Sequence, residues 1–108
     1  MMKRLLAAAL LLPLVGCSTP SNPKPVDRDE VACRAFANAW SLTDGDQRLV
    51  TSALDGLTQP PADERLADHA KAMSRLYYRP YAAWIMRADG FGDRCLTLAA
   101  DRGWKVNS

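Results

Sequence analysis

Val31-Ala32-Cys33-Arg34-Ala35-Phe36-Ala37-Asn38-Ala39-Trp40 is the stretch on which the fold turns. Val31, Ala35, Phe36, Ala39 and Trp40, with the offset pair Cys33 and Ala37, recur at three- and four-residue steps. That is the period of one face of an α-helix and not the two-residue alternation of a strand. Asp27, Asp29 and Glu30 stand where negative charge suits a helix N-terminus, so the pattern predicts a helix over residues 27–42. Cys33, Phe36, Ala37 and Trp40 share one face of it, which aims the thiol inward with the core side chains.

Outward from this helix the chain continues in the same period. Thr43-Asp44-Gly45-Asp46 interrupts the pattern and offers N-cap residues, and Leu49, Val50, Ala53, Leu54 and Leu57 then predict a second helix over 45–57. Pro61 followed by Ala62, Asp63 and Glu64 suits a first turn, and Leu66, Ala70, Met73, Leu76 and Tyr77 carry a third helix to Tyr78, where Arg79-Pro80 forces a break. A short helix opening at Pro80 packs Ala83, Trp84 and Met86 and ends at Gly90. The glycines of Asp89-Gly90-Phe91-Gly92-Asp93 predict a turn, residues 94–102 a last short helix with Cys95, Leu98 and Ala99 inside, and Gly103 a stop after which Trp104 folds back. No alternating run suggests a strand. The expected fold is all-α, a small bundle of four to five short helices over residues 27–108.

About 83 residues from Val26 onward make one small domain, with a core that buries roughly 60% of the unfolded surface and gains from a staple. Cys33 and Cys95 stand near its two ends, and outside the cytoplasm such a pair forms a disulfide joining the first and last helices. Free thiols for redox or metal work lack a Cys-x-x-Cys or a histidine at ligand spacing.

The N-terminus explains why the compartment is oxidising. Lys3 and Arg4 precede an apolar run of roughly 11 residues from Leu5 to Val15, the outline of a signal peptide over residues 1–16. Such a run is too short to span a bilayer, which takes about 20 residues. Leu14-Val15-Gly16-Cys17 resembles a bacterial lipobox. The resemblance implies a diacylglycerol on Cys17, cleavage between Gly16 and Cys17, and lasting membrane attachment once two or three acyl chains are present. Ser18-Thr19-Pro20-Ser21-Asn22-Pro23-Lys24-Pro25 then reads as a tether, so residues 17–26 form the lipidated cysteine and a spacer of some 25 to 30 Å.

Loss of Lys3 and Arg4 with the leader brings the formal charge from +2 to about zero, which leaves no electrostatic case for nucleic acid. Catalytic signatures are missing. The single histidine, His69, has Asp68 beside it in sequence but on a different helix face, and reads as solvated surface or a satisfied hydrogen bonder. Asp44-Gly45-Asp46 lacks the further carboxylate and the glycine of an EF-hand loop and reads as a capped turn. The remaining carboxylates sit at helix starts, where capping explains them. No metal, cofactor, small-molecule substrate or enzymatic activity is expected.

One segment is chemically distinctive. Arg75-Leu76-Tyr77-Tyr78-Arg79-Pro80-Tyr81-Ala82-Ala83-Trp84-Ile85-Met86-Arg87 places aromatics and arginines around a helix break, and Tyr, Trp and Arg dominate protein interfaces. So small a core cannot take every ring, so Tyr77, Tyr78, Arg79, Tyr81 and Trp84 are the candidate contacts for a protein or envelope partner. Tyr77 and Trp84 are the two with an alternative place in the core.

Cys33-Arg34-Ala35-Phe36-Ala37-Asn38-Ala39-Trp40 together with Arg94-Cys95-Leu96-Thr97-Leu98-Ala99-Ala100-Asp101-Arg102-Gly103 resembles small helical two-cysteine lipoproteins of actinobacteria and their phages. That resemblance brings no catalytic residues. With the lipobox and the aromatic-arginine segment, the expected function is an anchored, non-enzymatic module on a cell membrane or outer membrane, facing away from the cytoplasm, that binds or blocks a partner. The alternatives are a structural or envelope-assembly lipoprotein and a phage-encoded lipoprotein that excludes superinfecting phage.

Overall fold

Three aspartates start three helices. The computed structural model describes residues 26–105, and four helices follow one another: α1 (Arg28–Thr43), α2 (Gln47–Asp55), α3 (Glu64–Arg75) and α4 (Tyr81–Arg102). Asp27 Oδ1 accepts the Asp29 and Glu30 N–H groups, Asp46 those of Arg48 and Leu49, and Asp63 that of Leu66, so each cap satisfies donors that the first turn leaves without a helical partner. α4 begins after Pro80 with no side-chain cap, its first-turn φ preset by the proline ring. Asp44 and Gly103 end α1 and α4 in the left-handed conformation, and the Gly103 and Trp104 N–H groups fold back onto the Ala99 carbonyl as expected. The predicted signal peptide, Cys17 and the tether up to Pro25 lie outside the described residues.

α1 and α4 lie antiparallel. Cys33 bonds Cys95, Phe36 packs on Phe91 at 4.9 Å between ring centroids, and Trp40 stacks on Trp84 at 6.1 Å, so partners on α4 fall in number as those on α1 rise. The disulfide closes a separation of 62 residues with its Cα atoms 5.7 Å apart, which joins first helix to last as the cysteine arithmetic predicts. Leu66 and Met73 of α3 and Val50 and Leu54 of α2 complete the core around Trp84 and Phe91.

The C-terminal third departs from the sequence reading. No turn interrupts residues 89–93, and α4 runs unbroken for 22 residues through Gly90 and Gly92, replacing the two short helices expected over 80–90 and 94–102. Gly90 admits a neighbouring ring, and Gly92 lies at ordinary contact distance from another. A Cβ at Gly90 would stand 2.5 Å from His69 Cε1, and one at Gly92 would meet Phe36 Cε2 at 3.5 Å. Close packing against His69 is therefore the use of Gly90, a residue that otherwise weakens a helix by roughly 0.5–1 kcal/mol. His69 is accordingly a half-buried packing ring against α4, its Nδ1 buried with no hydrogen-bond partner among the described residues, and not the solvated or hydrogen-bonded histidine anticipated. Gly90→Ala is expected to destabilise by about 1 kcal/mol in denaturant melts despite alanine's better helix propensity. In a His69→Ala background the same change should instead stabilise by roughly 0.5–1 kcal/mol. α3 also stops earlier than expected, at Arg75, and residues 76–79 form successive tight turns in which Tyr77 N–H donates to Ser74 O and Arg79 N–H to Leu76 O.

A polar seam ties the ends of three helices. Buried Asp29 accepts the Asp63 N–H and an Arg102 Nη1 bond, each at 2.9 Å, while Arg102 also pairs with Asp27. Arg94 forks onto both oxygens of Asp63 at 3.1 and 2.6 Å. Burial works against the Asp27 charge, but the Arg102 bond and two backbone N–H groups outweigh it and hold the carboxyl below its usual range. The Arg94 hydrogen bond holds the Asp63 carboxyl down to about 2. Because the folded value is depressed, the stabilisation is present above the unfolded carboxyl value and is lost as pH falls toward 2. Asp63→Asn is expected to lower stability at neutral pH by on the order of 1 kcal/mol after solvent screening, and to flatten the loss of stability measured between about pH 4 and 2.

Candidate functional site

Residues 76–80 join α3 to α4, and α2 holds the joint in place. Gln47, the first residue of α2, donates from Nε2 to the carbonyls of Leu76 and Arg79, both at 2.8 Å, which adds a second bond to the Leu76 carbonyl and pins the turn at both of its ends. The adjacent Arg48 lies over the turn, its guanidinium carbon 5.2 Å from the Tyr78 ring centroid and 6.0 Å from that of Tyr77. The two tyrosines meet edge to face at 4.7 Å. Neither Gln47 nor Arg48 is foreseeable from the sequence as part of this site, since both arrive from about 30 residues upstream through the packing of α2.

The predicted contact residues divide. Tyr78 is 81% exposed and Tyr81 48%, Arg79 is exposed, and Tyr77 is half-buried. Trp84 is a correction: it is fully buried, stacks on Trp40, and donates from Nε1 to Thr51 Oγ1 at 2.8 Å, so it offers no surface to a partner. The reason is helical phase. Trp84 sits three residues after Tyr81, but on the face of α4 that turns toward α1 and α2. It still supports the site, because Thr51 donates in turn to the Gln47 carbonyl at 2.7 Å and Tyr81 packs on the Trp84 ring at 5.5 Å.

Beside the tyrosines lies an open depression of about 580 Å³ lined by Ser52, Asp55, Gly56, Ser74, Arg75, Tyr77 and Tyr78. Ser74 donates to Asp55 across it at 3.2 Å. Exposed rings with polar tips, set among Arg48, Arg75 and Arg79, suit contact with an apolar or anionic surface on another macromolecule. His69 stands apart, against Gly90. Among the described residues no group of three histidine, cysteine or carboxylate side chains is arranged to hold a metal ion. Among those residues, too, no helix is long and apolar enough to cross a membrane. No protein-family model matches the chain, and comparison with curated proteins and with solved structures finds no similar protein.

Proposed function

We propose that this chain is a lipoprotein held at the cell membrane or outer membrane through acyl groups on Cys17, and that its helical domain is a non-enzymatic module that binds or blocks a protein or envelope partner. One observation carries the binding part of this reading. Tyr78 is 81% exposed on a turn that Gln47 fastens at two carbonyls, so a large amphipathic side chain is presented from a backbone with little conformational freedom left to lose on association. Lipobox-like Leu14-Val15-Gly16-Cys17 supports the anchor. A disulfide-closed domain agrees with an oxidising compartment.

Two readouts test the two halves separately. Intact mass of membrane-extracted protein should show a chain beginning at Cys17 with diacylglyceryl mass, and Cys17→Ala should leave the chain unmodified and out of the membrane fraction. An unlipidated wild-type chain sinks the anchor. A photocrosslinker placed at Arg79 should capture a partner that Tyr78→Ala with Tyr81→Ala no longer engages, while helical circular dichroism and the disulfide are retained. Unaltered crosslinking and phenotype in that variant would leave the module as a spacer or assembly element.

A further inference from the structure

We propose that the groove between α1 and α4 is a second binding site, separate from the tyrosine turn, and that it takes an amphiphilic organic cation. The groove encloses about 520 Å³, within the range of small-molecule sites. Phe36 and Trp40 from α1 and Leu96 from α4 give it an apolar floor and wall, and the small side chains at Ala37 and Gly92 leave the space open. Leu96 is 61% exposed there, a large apolar side chain with no place in the core.

The rim carries one sign of charge. Asp44, Asp89 and Asp93 line it, no lysine or arginine does, and none of the three forms a salt bridge among the described residues. Asp27, Asp29 and Asp63, by contrast, are each paired with an arginine. The rim carboxylates belong to no three-residue cluster able to hold a metal ion, so an inorganic cation is not the matching ligand. A positive head group beside an apolar body is. The head lies among the carboxylates and against the faces of Trp40 and Phe36, and the tail covers Leu96. The tyrosine turn, lined by arginines, has the opposite preference.

The groove is also preformed. The Cys33–Cys95 bridge joins its two walls, with Cys95 itself in the lining. Toward the far end Gly45, at φ +73°, backs Trp40 so closely that a Cβ would stand 2.8 Å from Cζ2. Phe36 is held against Phe91, and Trp40 against Trp84. Little reorganisation is needed for a ligand to enter.

The test uses the full chain with Cys17→Ala, so that no acyl group competes for the groove, whether or not the anchor reading is right. Octyltrimethylammonium, octyl glucoside and octyl sulfate, each below micelle formation, are titrated while amide shifts are followed by NMR. The expected result is saturable binding of the cation alone, with shifts confined to residues 36–44 and 88–96. Asp44→Asn with Asp89→Asn and Asp93→Asn should weaken it roughly tenfold or more, since most of the electrostatic preference is removed. Gly92→Leu should abolish it by filling the groove, with the disulfide and helical circular dichroism retained, and Tyr78→Ala should leave it unchanged. Octyl glucoside binding as tightly as the cation, shifts centred on the tyrosine turn, non-saturating shifts, or a triple-Asn variant that binds like the parent would each overturn the proposal.

Discussion

Replacement of Cys33 and Cys95 by alanine is expected to cost about 4 kcal/mol of stability on the chain-entropy account of a loop of this size. The bridge spans 62 residues, so in the unfolded chain it removes a large share of the conformations available to nearly the whole domain. Roughly 0.05–0.15 kcal/mol per residue is the usual stability of a folded chain, and for a domain this small the loss is comparable to the total. Thermal melts should fall by 15 °C or more, on the order of 4–8 °C for each kcal/mol. A shift of only a few degrees would mean that the helical core, and not the bridge, carries the stability. The groove between α1 and α4 should suffer first, because Cys95 lines it and the bridge sets the spacing of its two walls.

Trp84→Ala is the second large effect, expected at about 3–5 kcal/mol. The side chain is fully enclosed, stacks on Trp40 with ring planes 6° apart, and packs against the Tyr81 ring at 5.5 Å. Its removal leaves a cavity in the middle of an aromatic series running Tyr81, Trp84, Trp40, Phe36, Phe91, and takes from Thr51 the indole N–H that it accepts. Trp84→Phe should cost less, about 1–2 kcal/mol, by preserving most of the packing while losing the hydrogen bond. Near-ultraviolet circular dichroism would report the loss of the Trp40–Trp84 stack, and chemical denaturation the energy. Tyr78→Ala, only a few residues away, should change stability by less than about 0.5 kcal/mol. If Trp84→Ala proved as mild, the tryptophan would belong with the surface residues after all.

The contrast between Tyr78 and Trp84 shows where sequence reasoning reached its limit. Both stand in one aromatic-rich segment, and local spacing says that some of its rings must be exposed without saying which. Helical phase and the arrival of Thr51 from α2 decide it. The same holds for Gly90 and Gly92. In sequence, two glycines around Phe91 resemble a turn; in the folded domain the helix continues through both, and His69 occupies the space that a side chain at Gly90 would need, whereas Gly92 borders the groove beside Phe36. The Asp-Gly-Asp triplet, on the other hand, is the capped turn that its residues predict, because Asp46 bonds the N–H groups two and three residues ahead of it, and both partners are local.

By itself the sequence determined the features governed by neighbours a few residues apart: the all-helical class, the acidic start of α1, the capped turn before α2, the glycine stop after Arg102, and the inward aim of Cys33 and Cys95 that permits their bridge. Tertiary structure alone decided the features that depend on pairs distant along the chain. These are the fastening of the tyrosine turn by Gln47, the burial of Trp84 under Thr51, the passage of α4 through two glycines, and the acidic groove beside Trp40. The physical reason is that caps and helical period are set within about one turn of helix, whereas the choice of which face is buried is made only when another helix lies against it.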